Sequence, residues 1–382
     1  MKSRSKTLNR SANLGTFVRA EYPLIVGLAS AAFFLWLGSA ALDRITHPYA
    51  LGGVFAWLFV GVLWSAISVV RHADVLAEKM GEPSGTIILT LSAITIEVIM
   101  ISAAMLHGAN NPTLARDMMF AVVMIALNGL VGISLLLGGV RHREQDYNLQ
   151  GTSSYVNTIM ALSVLGLVLP NFTTSMSGPR LSSIQQIFLI VTTIALYGIF
   201  LLMQTGRNRQ YFTETERGGQ TEKHAQHQSV EMRSTHFHVA MLFLYLIAVV
   251  VLAEKFALPL DNFIERVGVP QALGGAIVAG LVLAPEALSG IKAATRNQLQ
   301  RSINILHGSV LASIGLTIPA VLIIGMATGR PVTLGIEGGN LPLLVLTLAS
   351  TVVTFGSGRT SVLQGCIHLL LFAVFVLLIF CP

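Results

Sequence analysis

Charged residues are scarce in this chain of 382 residues, where Asp, Glu, Lys and Arg together make up 11%. Soluble domains carry about 25% charged residues. Hydrophobic residues make up 53% of the chain, and the mean hydropathy is +0.71. Runs of roughly 20 apolar residues, the length that crosses a bilayer, recur along the sequence. The lack of charge therefore excludes an ordinary soluble protein and predicts an integral membrane protein embedded in the lipid bilayer.

Cysteine is also scarce, because Cys366 and Cys381 are the only two and both lie in the last hydrophobic run. They provide neither a disulfide framework nor the ligand spacing of a metal centre. Aromatic residues make up only 7%, and no aromatic cage for an organic ligand stands out. The acids buried in apolar runs are both Glu, not the Asp pair of an intramembrane protease, and no Ser/His cluster accompanies them. We therefore expect neither an enzyme nor a bound cofactor.

The net charge of +6 raises the question of a nucleic-acid partner. The basic cytoplasmic loops of membrane proteins account for such a charge, so we expect no nucleic acid to bind. The first 20 residues hold five basic side chains and no apolar run. They are expected to form a basic cytoplasmic tail, since a cleavable signal peptide needs an apolar segment.

The hydrophobic runs predict an all-α, polytopic membrane protein with about eleven transmembrane helices. An extra helix, 21–43, follows the tail 1–20 and precedes a first group of five helices within 51–204. A polar cytoplasmic linker, 205–236, then leads to a second group of five within 237–380. The predicted spans are 21–43, 51–70, 84–107, 117–139, 155–172, 183–204, 237–258, 269–292, 303–328, 340–356 and 361–380.

The distribution of basic residues predicts the orientation of these spans. If the N-terminus is cytoplasmic, about three quarters of the Lys and Arg residues fall in cytoplasmic segments, as in most membrane proteins. Because each group contains five spans, the second group must enter the membrane from the side opposite to the first. The sequence therefore predicts two inverted five-helix repeats, an arrangement found in many secondary transporters.

Matching residues support this repeat. Gly85 precedes Glu97 by 12 positions in the third span, and Gly274 precedes Glu286 by 12 positions in the eighth. The spans that follow carry Val-Gly-Ile-Ser at 131–134 and Ile-Gly-Leu-Thr at 314–317. Each group thus places a Glu-bearing span before a span with small and polar residues.

Glu97 and Glu286 are the strongest candidates for function. A charge at the bilayer centre costs at least about 2.5–3.5 kcal/mol, so Glu97 must face protein or water and is expected to carry a proton when no cation is bound. Glu286 follows Pro285, whose missing backbone donor predicts a broken helix with free carbonyl groups. The structural alternatives are a helix–helix hydrogen bond for Glu97 and a helix-end charge near Lys292 for Glu286.

Two carboxylates suggest a mechanism of exchange. Together they match the charge of one Ca²⁺, a hard ion that prefers oxygen ligands. Two protons neutralise the same pair when the cation is absent. Cation and protons would then compete for one site near the membrane midplane, and this competition would couple their movements in opposite directions.

Polar side chains near these acids are candidates for the rest of the cation shell, although each is as well explained by a helix–helix hydrogen bond. His307 is a candidate proton relay, because imidazole titrates near neutrality. Glu82, before the third span, is a candidate entrance for protons or ions, or else a helix N-terminal charge. The shell candidates are Asn128, Ser309, Thr90, Thr95, Ser92, Ser289 and Ser313.

In and beside the linker, His224, His227, His236 and His238 form a possible metal or pH site, with a plain solvated loop as the favoured interpretation.

Several segments together resemble the ChaA-type antiporters, in the proton-exchanging branch of the calcium/cation antiporter superfamily. The resemblance covers about residues 20–380. The segments that carry it are Gly81-Glu82-Pro83-Ser84-Gly85-Thr86 leading to Thr95-Ile96-Glu97, Ala284-Pro285-Glu286-Ala287, His307-Gly308-Ser309 through Pro319, and Gly358-Arg359-Thr360 through Gly365 and His368.

The resemblance implies an eleven-helix, multi-pass exchanger of the bacterial inner membrane that exports Ca²⁺ against protons through Glu97 and Glu286, with Na⁺ and K⁺ as further candidate ions. The chain departs from the superfamily where a Gly-Asn pair usually precedes each Glu, since Ala93-Ile94 and Val282-Leu283 stand there. A glutamine common after Gly-Ser is Ala312 here, so the choice between Ca²⁺ and a monovalent cation stays open. A proton-coupled carrier of an organic solute and a cation channel are the alternative functions. The oligomeric state is not predicted.

Overall fold

The computed structural model describes residues 21–37, 47–80, 84–107, 111–213 and 234–381. These ranges contain eleven helices and one pair of two-residue strands, β1 (Gln145–Asp146) and β2 (Arg359–Thr360), which pair antiparallel. The predicted all-α class is therefore confirmed. The helices are α1 (Glu21–Leu37), α2 (Pro48–Met80), α3 (Ser84–His107), α4 (Leu114–His142), α5 (Leu149–Phe172), α6 (Ser183–Thr205), α7 (Thr235–Val267), α8 (Ala272–Thr295), α9 (Leu299–Thr328), α10 (Asn340–Thr354) and α11 (Val362–Phe380).

The helices have the length and composition of membrane spans. Eight of those in the described ranges are long and apolar enough to cross a bilayer. Three further apolar stretches, Glu21–Leu37, Thr90–Leu106 and Asn340–Thr354, are shorter. The chain is therefore a multi-pass membrane protein, while the number of eleven crossings stays a prediction. Both α2 and α7 extend well beyond their predicted apolar runs, because polar residues at their ends continue the backbone hydrogen bonding.

Three of the long helices contain a wider π-helical turn. These turns are Met124–Leu130 in α4, Val164–Val168 in α5 and Ser313–Thr317 in α9. Such turns are rare and are frequently found at functional sites. The predicted break at Pro285 is wrong, because α8 runs unbroken through this residue. The proline still lacks an N–H group, so the Leu281 carbonyl loses its donor within the helix.

A buried ionic cluster attaches α1 to α2 and α7. Arg71 Nη2 and Tyr245 Oη donate to Glu21 Oε2 over 2.7 and 3.0 Å, and His72 Nε2 lies 3.3 Å from the same oxygen. His72 Nδ1 in turn lies 3.0 Å from Nδ1 of His238. Glu21 is only 5% exposed, so its charge depends on these partners.

We expect Glu21→Ala to lower the thermal stability of the detergent-purified protein markedly. The change removes the acceptor that Arg71, His72 and Tyr245 share, and leaving buried polar groups without a partner typically costs about 1–3 kcal/mol. Glu144→Ala is the matched control, because Glu144 is well exposed and pairs with Arg359 at 3.5 Å. Surface pairs contribute little. Melting followed by loss of the monodisperse fraction should separate the two variants, and equal losses would contradict a structural role for the cluster.

Candidate cation site

Helices α3 and α8 bring Glu97 and Glu286 to a single cavity of about 340 Å³. Each helix has 24 residues, and the π-helical turn of α9 forms a further wall of the cavity. Glu97 is 2% exposed, while Glu286 is half-buried. The two acids predicted to act together therefore face the same space, although they lie 189 positions apart in the chain.

The carboxylates have few partners of their own. Ser313 Oγ donates to Glu97 Oε2 over 2.5 Å. Glu97 Oε1 and Glu286 Oε2 are buried and accept no hydrogen bond from the described residues, and neither acid forms an ion pair there. Buried carboxylate oxygens without donors are costly unless a proton or a cation neutralises them. The arrangement is therefore suited to binding positive charge.

Among the predicted shell residues, Thr90, Ser309 and Ser313 line this cavity. Ser92 and Thr95 instead donate to carbonyl oxygens of their own helix, Ile88 O at 2.8 Å and Leu91 O at 2.6 Å. Hydroxyl groups in helices often bond in this way to the carbonyl four residues earlier. Ser289 is exposed and does not line the cavity. Roles for these three residues in binding the ion stay predictions.

Asn128 lies outside the cavity, in a buried network that joins α4, α10 and α11. Its Nδ2 donates to Thr347 Oγ1 over 2.8 Å, and its Oδ1 lies 3.1 Å from His368 Nδ1. His368 Nε2 lies 3.0 Å from Thr354 Oγ1. The side chain of Asn128 thus joins helices in this conformation. A helix–helix hydrogen bond was the structural alternative to ion binding that the sequence left open for this residue.

His307 is fully buried, and neither of its ring nitrogens has a hydrogen-bond partner among the described residues. Its ring packs edge-on against Phe355, with centroids 4.8 Å apart. It lies on α9 beside the cavity-lining Gly308 but does not line the cavity itself. Its role as a proton relay stays a prediction. Glu82 and the linker residues 214–233, with His224 and His227, lie outside the described residues.

Two kinds of cavity residue were not predicted from the sequence. Tyr155, Tyr197 and Gln204, from α5 and α6, line the cavity, and Gln204 Nε2 donates to Tyr155 Oη over 2.7 Å. A Tyr or a Gln within an apolar run was the available signal. The start of the linker also contributes, because Arg209 and Phe212 line the cavity.

Within the described ranges, no group of three or more His, Cys, Asp or Glu side chains is arranged to hold a metal ion. An ion in the cavity would therefore depend on two carboxylates together with neutral oxygens. Hydroxyl oxygens of Thr90, Ser309 and Ser313 are available on the same walls. Hard cations accept such mixed oxygen ligands, including water.

The sequence matches the profile of a family described as sodium/calcium exchanger protein over residues 50–206 and 237–381. The chain belongs to this family. The two matched ranges are separated by the segment that contains Arg209 and Phe212. The resemblance to calcium/cation antiporters inferred from the sequence motifs is thereby confirmed.

Individual relatives are similar over nearly the whole chain. The chain is 41% identical to the protein y4hA of Sinorhizobium fredii over 99% of both chains. It is 37% identical to the sodium-potassium/proton antiporter ChaA of Escherichia coli, over 92% of this chain and 94% of that protein. Among solved structures, the Ca²⁺/H⁺ antiporter protein YfkE has a similar fold, with a TM-score of 0.68 at 18% identity, over 95% of this chain and 100% of that one.

We expect Ser313→Ala to raise the cation concentration needed for half-maximal transport by at least about tenfold. Ser313 Oγ is the group that holds one oxygen of Glu97, and a hydrogen bond to a charged group typically contributes about 1.5–3 kcal/mol. Ser302→Ala is the matched control, because Ser302 is equally buried on the same helix but does not line the cavity. Dose–response curves in membrane vesicles measure the difference. An unchanged half-maximal concentration would mean that Ser313 only packs α9 against α3.

Proposed function

We propose that this protein is a secondary transporter that exchanges a metal cation for protons across the bacterial inner membrane. The proposed cargo is Ca²⁺, with Na⁺ or K⁺ as the other candidates. The observation that carries the proposal is that Glu97 and Glu286 share one cavity, each with a buried carboxylate oxygen that accepts no hydrogen bond, and that neither forms an ion pair among the described residues. Membership of the exchanger family and the similarity to a named sodium-potassium/proton antiporter support it.

In the proposed mechanism, cation and protons occupy the same site in turn. A cation binds between the carboxylates, and the hydroxyl oxygens of Thr90, Ser309 and Ser313 replace part of its water shell. When the cation leaves, protons neutralise the two Glu side chains, because an empty, doubly charged site would be costly to bury. Each form is close to neutral and can be carried through the membrane interior. The unbound, charged form cannot, and this difference would enforce exchange.

We further propose that the repeats α2–α6 and α7–α11 are inverted copies that alternate access to this site. Their leading helices support the pairing, since α2 and α7 each contain 33 residues and α3 and α8 each contain 24. The next pair, α4 and α9, contains 29 and 30 residues, and each has a π-helical turn. Rocking of one repeat against the other is a common transport movement.

The cavity extends from the two acids toward the side where the linker begins. Gln204 at the end of α6 and Asn304 near the start of α9 line it, together with Arg209 and Thr213 of the linker. In the predicted topology this side is the cytoplasm. We therefore propose that the structure is an inward-open state, ready to receive a cytoplasmic cation or to release protons there.

A carrier of organic cations is the second candidate function, and one observation favours it. Four aromatic side chains, Tyr155, Tyr197, Phe200 and Phe212, line the same cavity as the two carboxylates. Aromatic faces attract quaternary ammonium groups, and the volume of about 340 Å³ exceeds what one metal ion needs. This aromatic group was not predicted from the sequence, because its residues come from two helices and the linker.

Inverted membrane vesicles with an acid interior test both functions. The vesicles come from a host without its own antiporters, and a fluorescent dye reports the internal pH. CaCl₂, NaCl, KCl and tetramethylammonium chloride are added separately, with vesicles from the empty vector as the control. Loss of the pH gradient on addition of at least one metal cation is the expected result. A response to tetramethylammonium alone would favour the organic-cation carrier, and no response to any of the four would contradict both proposals.

A further inference from the structure

The first residues of the linker form part of the cavity mouth and are held in place by the surrounding helices. They include a short 3₁₀ turn, Arg209–Phe212, which begins four residues after the last residue of α6, Thr205. Phe212 is 7% exposed, and its ring centroid lies 5.5 Å from that of Tyr155 and 5.6 Å from that of Phe200. Asn304 Nδ2 donates to the Phe212 carbonyl over 2.6 Å. The turn is therefore held against α5, α6 and α9.

The helices are adapted to receive this turn. A Cβ atom at Gly151, near the start of α5, would overlap the carbonyl oxygen of Tyr211, so only glycine fits at this contact. Asn148 Nδ2 donates to the carbonyl of Gln210 over 3.5 Å. Because the carbonyl groups of Gln210 and Phe212 both accept hydrogen bonds from the surrounding helices, the backbone position of Arg209 is set by the fold.

Arg209 places a positive charge in a cavity that otherwise attracts cations. Among the described residues that line the cavity it is the only Lys or Arg, and Glu97 and Glu286 are the only acids. No ion pair neutralises Arg209 within the described part of the chain, where it is exposed to the cavity and to solvent. A guanidinium stays charged at every physiological pH. Clefts with low-dielectric walls focus such a field on their contents.

We propose that Arg209 is a specificity-determining residue, which disfavours divalent relative to monovalent cations in the cavity. The energy of an ion in the field of Arg209 is proportional to the charge of the ion. The field of Arg209 therefore raises the energy of a bound divalent cation twice as much as that of a monovalent one. Because affinity depends exponentially on energy, the factor by which Arg209 lowers the affinity for the divalent cation is the square of the factor for the monovalent one. This inference rests on the proposed cation/proton exchange and assigns the choice of ion to the linker.

The test measures half-maximal cation concentrations for Na⁺ and Ca²⁺ in inverted vesicles. If one of the two ions binds without being transported, its affinity is measured instead as the concentration that half-inhibits exchange of the other ion. The measurements are made at alkaline pH, where both carboxylates are deprotonated and the ion enters an empty site. At acidic pH the ion would displace bound protons of the same total charge, so the field of Arg209 would no longer distinguish Na⁺ from Ca²⁺. The variants are Arg209→Gln, Arg209→Lys and Arg207→Gln. Arg207 is the matched control, because it is exposed two residues away and does not line the cavity.

We expect Arg209→Gln to lower the half-maximal concentration about twofold for Na⁺ and about fourfold for Ca²⁺, so that the logarithms of the two shifts stand in a ratio of about two. Arg209→Lys keeps the charge and should behave like the wild type, as should Arg207→Gln. Both shifts should shrink when N-methylglucamine chloride, whose cation is not a quaternary ammonium ion, raises the ionic strength, since salt screens solvent-exposed charges.

Three results would overturn the role of the Arg209 charge. They are equal shifts of the half-maximal concentration for Na⁺ and Ca²⁺, the same shifts in the Arg207→Gln variant, and the same shifts in the Arg209→Lys variant. In those cases exchange itself persists, and the proposed function stands. Wild-type vesicles that exchange none of Na⁺, K⁺ and Ca²⁺ would instead overturn the proposed function together with this inference. The wild-type response therefore distinguishes the two failures.

Discussion

Vesicles that contain the Glu97→Gln variant are expected to exchange no more cation for protons than vesicles from the empty vector. Glutamine has the shape of glutamate, and its carbonyl oxygen can still accept the hydrogen bond that Ser313 donates to Glu97 Oε2 over 2.5 Å. It can neither carry a negative charge nor take up a proton. A bound cation would keep only one carboxylate, and an uncompensated buried charge typically costs about 3–5 kcal/mol. Such a cost corresponds to a loss of transport of at least about 100-fold.

Glu286→Gln should have the same effect, because the mechanism needs both negative charges. Glu337→Gln is the matched control, since Glu337 is exposed and does not line the cavity. Immunoblotting of the vesicles shows that each variant inserts in equal amount. Robust exchange by both Glu97→Gln and Glu286→Gln would contradict the two-carboxylate mechanism, whereas loss in only one would place the ion on that carboxylate alone.

The convergence of these two acids could be predicted from the sequence because of the cost of burying a charge. A Glu in the middle of an apolar run has to face protein or water, and two such residues at matched positions of a repeat are expected to meet at its centre. The cavity that joins Glu97 and Glu286 has this arrangement. The positions of the helices followed from the same hydrophobic runs, and the errors concerned helix ends and the break predicted at Pro285.

The polar residues around the acids could not be assigned in the same way. Asn128 bonds to Thr347, which lies 219 positions away, and no local pattern announces this partner. The rotation of each helix about its own axis decides whether a hydroxyl faces the cavity, as Thr90 does, or bonds back to its own helix, as Thr95 does. The rotation of a helix depends on how it packs against its neighbours. In a helix that is apolar on all sides, the spacing of hydrophobic residues does not reveal which face is buried.

The linker illustrates a second limit. Its charged and polar composition is typical of a solvated loop, and yet its first turn lies against α5, α6 and α9. The adjacent aromatic residues Tyr211 and Phe212 were the available signal, and two aromatic residues in a polar segment have many explanations. What fixes the turn is backbone bonding to Asn304 and Asn148, together with the missing side chain at Gly151. None of these is visible without the fold.

Gly365→Val is expected to remove most of the folded protein, through the contact between α4 and α11. A Cβ atom at Gly365 would lie 2.6 Å from the backbone nitrogen of Leu136 and 2.9 Å from the carbonyl oxygen of Gly132. These are backbone atoms, which cannot move aside as a side chain can. Small residues at such interfaces allow helix backbones to approach closely in membranes. Forcing extra groups into packed contacts costs about 1–3 kcal/mol or more.

Gly198→Val is the matched control, because Gly198 also lies within a long helix, α6, and a Cβ atom there would meet nothing within 4 Å. Both variants change helix propensity equally, so any difference between them comes from packing. Size-exclusion chromatography of the detergent extracts measures the monodisperse yield. The same pair of helices carries the bond between Asn128 and His368, so displacement of α11 would also break that buried network. A Gly365→Val protein that is as abundant and monodisperse as Gly198→Val would contradict the backbone contact between α4 and α11.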